Sequence, residues 1–176
     1  MSAARRGRPT FGPLSQGPRN GPLFALVALG CVAAIGAALV SQHVYGMEPC
    51  PWCVLQRLVF LAIGAFALLG LVWRGPAGTR VVGTLGLLLA GIGLAAALWQ
   101  HLVAAQSASC NLTLADRIVN ATGLNALLPD VFEARASCAD AAVSLLGVPY
   151  AIWSGALFVL IAILMVVALR RARAAL

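Results

Sequence analysis

The chain has 176 residues, of which 61% are hydrophobic and only 10% charged, where a soluble domain carries about a quarter charged residues. So little polar surface excludes an ordinary water-soluble globule and makes lipid the solvent for most of the chain. The net charge of +7 comes from arginine alone. Those arginines stand at the ends of apolar runs rather than on a face interleaved with aromatics, which argues for membrane topology over nucleic-acid binding.

Residues 1–22 hold Arg5, Arg6, Arg8 and Arg19 with four prolines and no acid, and read as a disordered basic tail. A single membrane domain is expected over residues 23–169. It comprises four apolar segments, at about 23–45, 54–73, 81–102 and 145–169, with a basic tail at 170–176. Each segment is about 20 residues long, enough to cross a hydrocarbon core of about 30 Å as a helix. Helices are required because lipid offers no partner to backbone N–H and C=O groups. Glycines such as Gly83, Gly86, Gly91 and Gly93 let neighbouring helices approach closely. The first segment resembles a secretory signal in having a basic start, but its uncharged core is longer than the usual h-region of about 7–15 residues. An uncleaved helix is expected.

Arginine counting orients the bundle. With a cytoplasmic amino terminus, nine arginines lie inside: four in the tail, Arg74 and Arg80 in the loop 74–80, and Arg170, Arg171 and Arg173 at the end. Only Arg57, Arg117 and Arg135 lie outside. Both termini are therefore expected in the cytoplasm, with loops 46–53 and 103–144 on the other side, which is oxidising if the membrane is a bacterial inner one.

Four of the five cysteines, Cys50, Cys53, Cys110 and Cys138, fall in those two external loops. The fifth, Cys31, lies mid-helix and reads as a small apolar side chain. Cys50-Pro51-Trp52-Cys53 is a C-x-x-C, a pattern that serves redox chemistry, zinc and haem alike. Covalent haem wants a histidine where Val54 stands. Structural zinc sites usually draw on closely spaced pairs, whereas 27 residues separate Cys110 from Cys138. No metal is expected. Inert disulfides are the plainer alternative, and the setting of Cys53 speaks against them. Pro51 is a favoured first-turn residue, so Cys53 falls in the first turn of helix two, where the helix dipole favours a thiolate. Arg57 follows one turn later on the same face. A flanking arginine would normally sit at the cytoplasmic end, and this one stands at the other.

The stretch 112–132 between Cys110 and Cys138 mixes apolar residues with Asp116, Arg117 and Asp130. It reads as short amphipathic turns on the membrane surface, broken at Gly123 and Pro129. No acid or basic pair lies mid-helix to mark a transport pathway.

In its motifs the chain resembles the bacterial DsbB disulfide-formation proteins. The likeness rests on Gln42-His43-Val44, Pro49-Cys50-Pro51-Trp52-Cys53 and Gln56-Arg57. Trp99-Gln100-His101, Cys110, Cys138 and Leu146-Gly147-Val148-Pro149 complete it in the same order and frame. It implies an all-α four-helix membrane protein that acts as a protein-dithiol:quinone oxidoreductase supporting disulfide bond formation. It implies redox pairs Cys50–Cys53 and Cys110–Cys138. A soluble periplasmic DsbA-like thioredoxin-fold partner would attack Cys110, and Cys138 would pass electrons to Cys50–Cys53. The cofactor implied is a quinone, ubiquinone by preference or else menaquinone, held by Cys53 and Arg57, with His101 lining the same pocket. The competing reading is a small structural or metal-binding membrane protein with inert cysteine pairs.

Overall fold

The computed structural model describes residues 20–106 and 113–174. Most of the amino-terminal tail, Cys110 and the last two residues lie outside that range. Four long helices carry the fold: α1 (Gly21–Tyr45), α2 (Pro51–Val72), α3 (Pro76–Leu102) and α7 (Tyr150–Arg173). All four are long and apolar enough to cross a membrane, and together they make an all-α four-helix membrane bundle. Proline stands in the first turn of α1, α2 and α3, where its missing N–H costs nothing.

Between α3 and α7 runs the long second loop. It holds α4 (Leu114–Thr122), α5 (Leu124–Leu127) and α6 (Pro129–Phe132). The expected breaks at Gly123 and Pro129 are both present. Gly123 adopts the left-handed φ of 68° that ends α4, and Pro129 opens α6. Thr113 and Asp116 form a reciprocal capping box at the head of α4, which fixes two backbone donors that would otherwise lack partners. Ala115 and Val119 of α4 pack with Phe132 against Val54 and Leu55 of α2. Leu114, Ile118, Leu127 and Leu128 remain exposed, as an interfacial element requires.

The fourth helix begins at Tyr150, later than the apolar run at 145 suggests. Residues 144–149 instead form a minimal hairpin, β1 (Ser144–Leu145) paired antiparallel with β2 (Val148–Pro149). Leu146 and Gly147 at its tip have φ of 54° and 79°, the two positive values that a tight hairpin turn demands. Apolar composition could not separate this turn from the helix behind it.

Helix α3 packs along α7, α2 along α3 and α1 along α2, while α1 meets α7 over a much smaller area. The core centres on Phe60 and Phe158, stacked with centroids 4.1 Å apart and planes within 3°. Three of the α3 glycines explain the tight α3–α7 seam. A Cβ on Gly83 would meet Leu169, one on Gly86 would meet Met165, and one on Gly93 would lie 2.3 Å from Phe158. Gly91 faces open space. Gly93→Ala should therefore destabilise the bundle by about 1–3 kcal/mol through overpacking, while Gly91→Ala should not. Unfolding of both variants in detergent checks this.

Candidate active site

Cys50 is the N-cap of α2, and its sulfur accepts a hydrogen bond from the Cys53 backbone N–H at 3.3 Å. The cap geometry folds the motif so that the two sulfurs lie 2.6 Å apart. Joining them as a disulfide, with sulfurs about 2.05 Å apart, asks for little movement.

The second loop is strapped onto the first by backbone hydrogen bonds. Pro49 O accepts from the N–H groups of Arg135 and Ala136, at 2.9 and 3.2 Å. That strap delivers Cys138 into a buried cluster with Cys50, Ala104 and Ala141. Cys138 is hydrogen-bonded to Cys50 and to the backbone of Trp52. The Cys50 thiol is pushed well up from its ordinary value, chiefly by its hydrogen bond to Cys138 and then by that to Cys53 and by burial. Cys138 is lowered, chiefly by the same hydrogen bond with Cys50, which outweighs its burial. In the reduced site Cys50 thus holds its proton most tightly, and Cys138 gives up its own more readily than an ordinary thiol.

Arg57 is buried, only 5% exposed. Its guanidinium makes its hydrogen bonds to partners other than Cys53. Nη1 donates to Gln42 Oε1 at 2.8 Å and to Val131 O at 2.9 Å, and Nη2 donates to Ala38 O at 3.4 Å. Beside the Cys50 sulfur, the Cys53 sulfur accepts a hydrogen bond from Gln100 Nε2, at 3.1 Å.

Cys53, Arg57, Gln56 and Gln100 share the wall of a cavity of about 580 Å3 between α1 and α7. That size falls in the range of small-molecule sites, about 300–1,000 Å3. It occupies the gap left where those two helices barely touch. The reason is legible on α1: Gly30, Ala33, Ala34, Ala37, Ala38 and Ser41 recur at helical spacing and all line the cavity. Small side chains here leave room rather than drawing a neighbouring helix close. The opposite wall includes Tyr150, Ser154, Leu157 and Leu160 of α7, of which Leu160 reaches the outer surface of the bundle.

His101 does not line this cavity, although the resemblance put it there; its neighbour Gln100 does. The two residues are adjacent in sequence, and one helical step of about 100° turns them to different faces. Cys31 is buried in the core against Gly64, in keeping with a packing role.

Among the described residues, four helices able to cross a membrane and three sulfurs gathered at one end mark a multi-pass membrane protein suited to thiol–disulfide exchange. Comparison with known proteins narrows the class. The family profile "Disulfide bond formation protein DsbB" matches residues 20–168. The chain is 36% identical over 155 residues to "Disulfide bond formation protein B" of Ralstonia nicotianae, covering 84% of this chain and 92% of that one. It is 39% identical over 149 residues to "Disulfide bond formation protein B 1" of Pseudomonas savastanoi pv. phaseolicola, covering 83% and 87%. With the Paracidovorax citrulli protein it shares 32% identity over 162 residues, covering 90% and 91%. The chain belongs to the DsbB family and is a disulfide-forming oxidoreductase of the membrane.

Proposed function

We propose that this protein is a dithiol:quinone oxidoreductase of a bacterial inner membrane, reoxidising a soluble periplasmic thioredoxin-fold partner of the DsbA type. Both termini lie in the cytoplasm, in line with the arginine asymmetry and with Arg170, Arg171 and Arg173 in the last turn of α7. The cysteine end faces the periplasm.

The observation that carries the reading is the sulfur series: Cys138 hydrogen-bonded to Cys50, and Cys50 2.6 Å from Cys53, with Cys53 on the wall of an apolar cavity. A partner thiolate attacks Cys110 of the Cys110–Cys138 disulfide, forming a mixed disulfide and releasing Cys138 as a thiolate. The partner's second thiol resolves that bond, leaving the partner oxidised and Cys110 reduced. Cys138 attacks Cys50 Sγ; the Cys50–Cys138 bond forms, the Cys50–Cys53 bond breaks, and the bonding pair leaves on Cys53. That direction is favoured because a thiol that is stable as an anion leaves faster.

The cavity suits a quinone: apolar walls on α1 and α7 for the ring and its tail, and Cys53, Gln100 and Arg57 at the polar end. A quinone bound there supplies the acceptor of two electrons and two protons, ubiquinone being preferred over menaquinone. Cys53 would hold the electron pair on the cavity wall, and Arg57 would lend a buried positive charge to that polar end. Cys110 then attacks Cys138, which restores the Cys110–Cys138 disulfide and releases Cys50. The Cys50–Cys53 dithiol returns to its disulfide by giving up two electrons and two protons, so the net reaction converts partner dithiol and quinone into partner disulfide and quinol.

The deciding experiment mixes the purified protein, a reduced DsbA-like protein and ubiquinone-1, and follows quinone absorbance. One quinone should be consumed per partner disulfide formed, with a charge-transfer band in the visible from Cys53 against the ring. No quinone consumption, with both substrates intact, would overturn quinone as the acceptor.

A further inference from the structure

A run of buried polar side chains leads away from Cys53 through three helices. Ser154 Oγ on α7 donates to Gln56 Oε1 on α2. Gln56 Nε2 donates to Gln100 Oε1 on α3 at 2.5 Å, and Gln100 Nε2 donates to Cys53 Sγ at 3.1 Å. Gln56 and Gln100 are 4% and 5% exposed, so neither amide has water to fall back on. Buried amides in an apolar bundle are costly unless each end is bonded, and this series bonds both ends of both.

Such a series can run in only two senses. Turning one amide alone would set two N–H groups, or two carbonyls, against each other. Either Gln100 donates to the sulfur, which suits a thiolate, or both amides turn together and Gln100 accepts from an S–H. The ionisable groups around Cys53 are Cys50 and Cys138 at its head, with Arg57, Glu48 and Tyr150 on the wall of the same cavity. Arg57, buried and cationic, favours negative charge on the sulfur and therefore the donating sense.

We propose that Gln100 is a catalytic residue, the hydrogen-bond donor that stabilises Cys53 as the leaving thiolate, and that Gln56 and Ser154 are positioning residues that hold its amide in the donating sense. The proposal rests on the redox role assigned to Cys53 above. It adds no step to the electron path; it determines where the bonding pair comes to rest when the Cys50–Cys53 bond opens.

The test uses the full chain carrying Cys50→Ser, with serine a sound N-cap in its place, kept reduced and free of quinone. The rate of Cys53 alkylation by iodoacetamide is measured at pH 7 and at pH 10 by mass spectrometry. The ratio of the two rates cancels differences in access to the sulfur. In Gln100→Leu the pH 7 rate should fall about tenfold relative to the pH 10 rate, the lower value expected for one hydrogen bond to a charged group. Ser154→Ala should lower the ratio by severalfold, and Ser154→Thr, which keeps the hydroxyl, should restore it. A merely structural role for Gln100 would change both rates together. An unchanged ratio in Gln100→Leu overturns the proposal. Failure of quinone consumption by the unmodified chain would instead sink the functional reading and leave this ratio untouched.

Discussion

In a Cys138→Ser chain, quinone consumption driven by a reduced thioredoxin-fold partner should fall to background, while consumption driven by dithiothreitol should persist. The small dithiol can attack the Cys50–Cys53 bond directly, since Cys53 is partly exposed. On the proposed path the protein partner needs a relay, and Cys138 is the sulfur that the loop strap sets against Cys50. Serine preserves the size of the side chain and lacks its nucleophilicity. Cys31→Ser, changed in the core, should leave both rates alone. Partner-driven turnover that survives in Cys138→Ser would rule out electron flow through that sulfur.

The fully reduced chain carries a signature of its own in pH. Because Cys138 is lowered, chiefly by its hydrogen bond with Cys50, its thiolate persists as pH falls below the ordinary thiol range and is lost only as pH passes the lowered value. Alkylation of Cys138 in the reduced, quinone-free chain should therefore fall less steeply from pH 9 to pH 7 than that of an unperturbed thiol, which loses its anion about twentyfold over that interval. Alkylation rates read by mass spectrometry at several pH values distinguish the two.

Arg57→Lys should raise the apparent KM for quinone by about ten- to a hundredfold, the worth of a charge-assisted contact in a poorly solvated site. Lysine keeps the charge but is a point donor, without the planar fork that reaches several acceptors at once. Here the fork spans Gln42 on α1 and the Val131 carbonyl in the second loop. Sequence distance alone suggests that the partner-facing loop would be indifferent to this change. The bond to Val131 predicts otherwise: the partner half-reaction should slow as well, by a smaller factor, because the loop loses an anchor next to its strap. Stopped-flow measurement of each half-reaction separates the effects. Normal quinone kinetics in Arg57→Lys would return the residue to a purely structural part.

Much of this molecule was legible in the order of its residues. Lipid permits only a hydrogen-bond-complete backbone, so apolar runs of helical length had to be helices, and four of them had to bundle. The breaks at Gly123 and Pro129 follow from local backbone preference, as does the entry of α2 at Pro51 that puts Cys53 in a first turn. The α1 stripe from Gly30 to Ser41 was also present as a pattern. Small residues at helical spacing look alike whether they admit a helix or leave a cavity, so the pattern acquires its meaning only from the neighbour it faces.

Contacts between distant segments were not legible, since nothing local encodes them. Gln100 rather than His101 meets Cys53, because the rotation of α3 is set by glycines packing on α7, whose fit depends on Phe158, Met165 and Leu169. Arg57 reaches past Cys53 to Gln42 and Val131 because burial obliges a guanidinium to find several acceptors, and those happen to stand on α1 and in the second loop. Local sequence thus determined the membrane helices and the chemistry-bearing motif. Only the tertiary packing decided which side chains complete the site, because a buried polar group is satisfied by whatever partner the fold brings within about 3 Å.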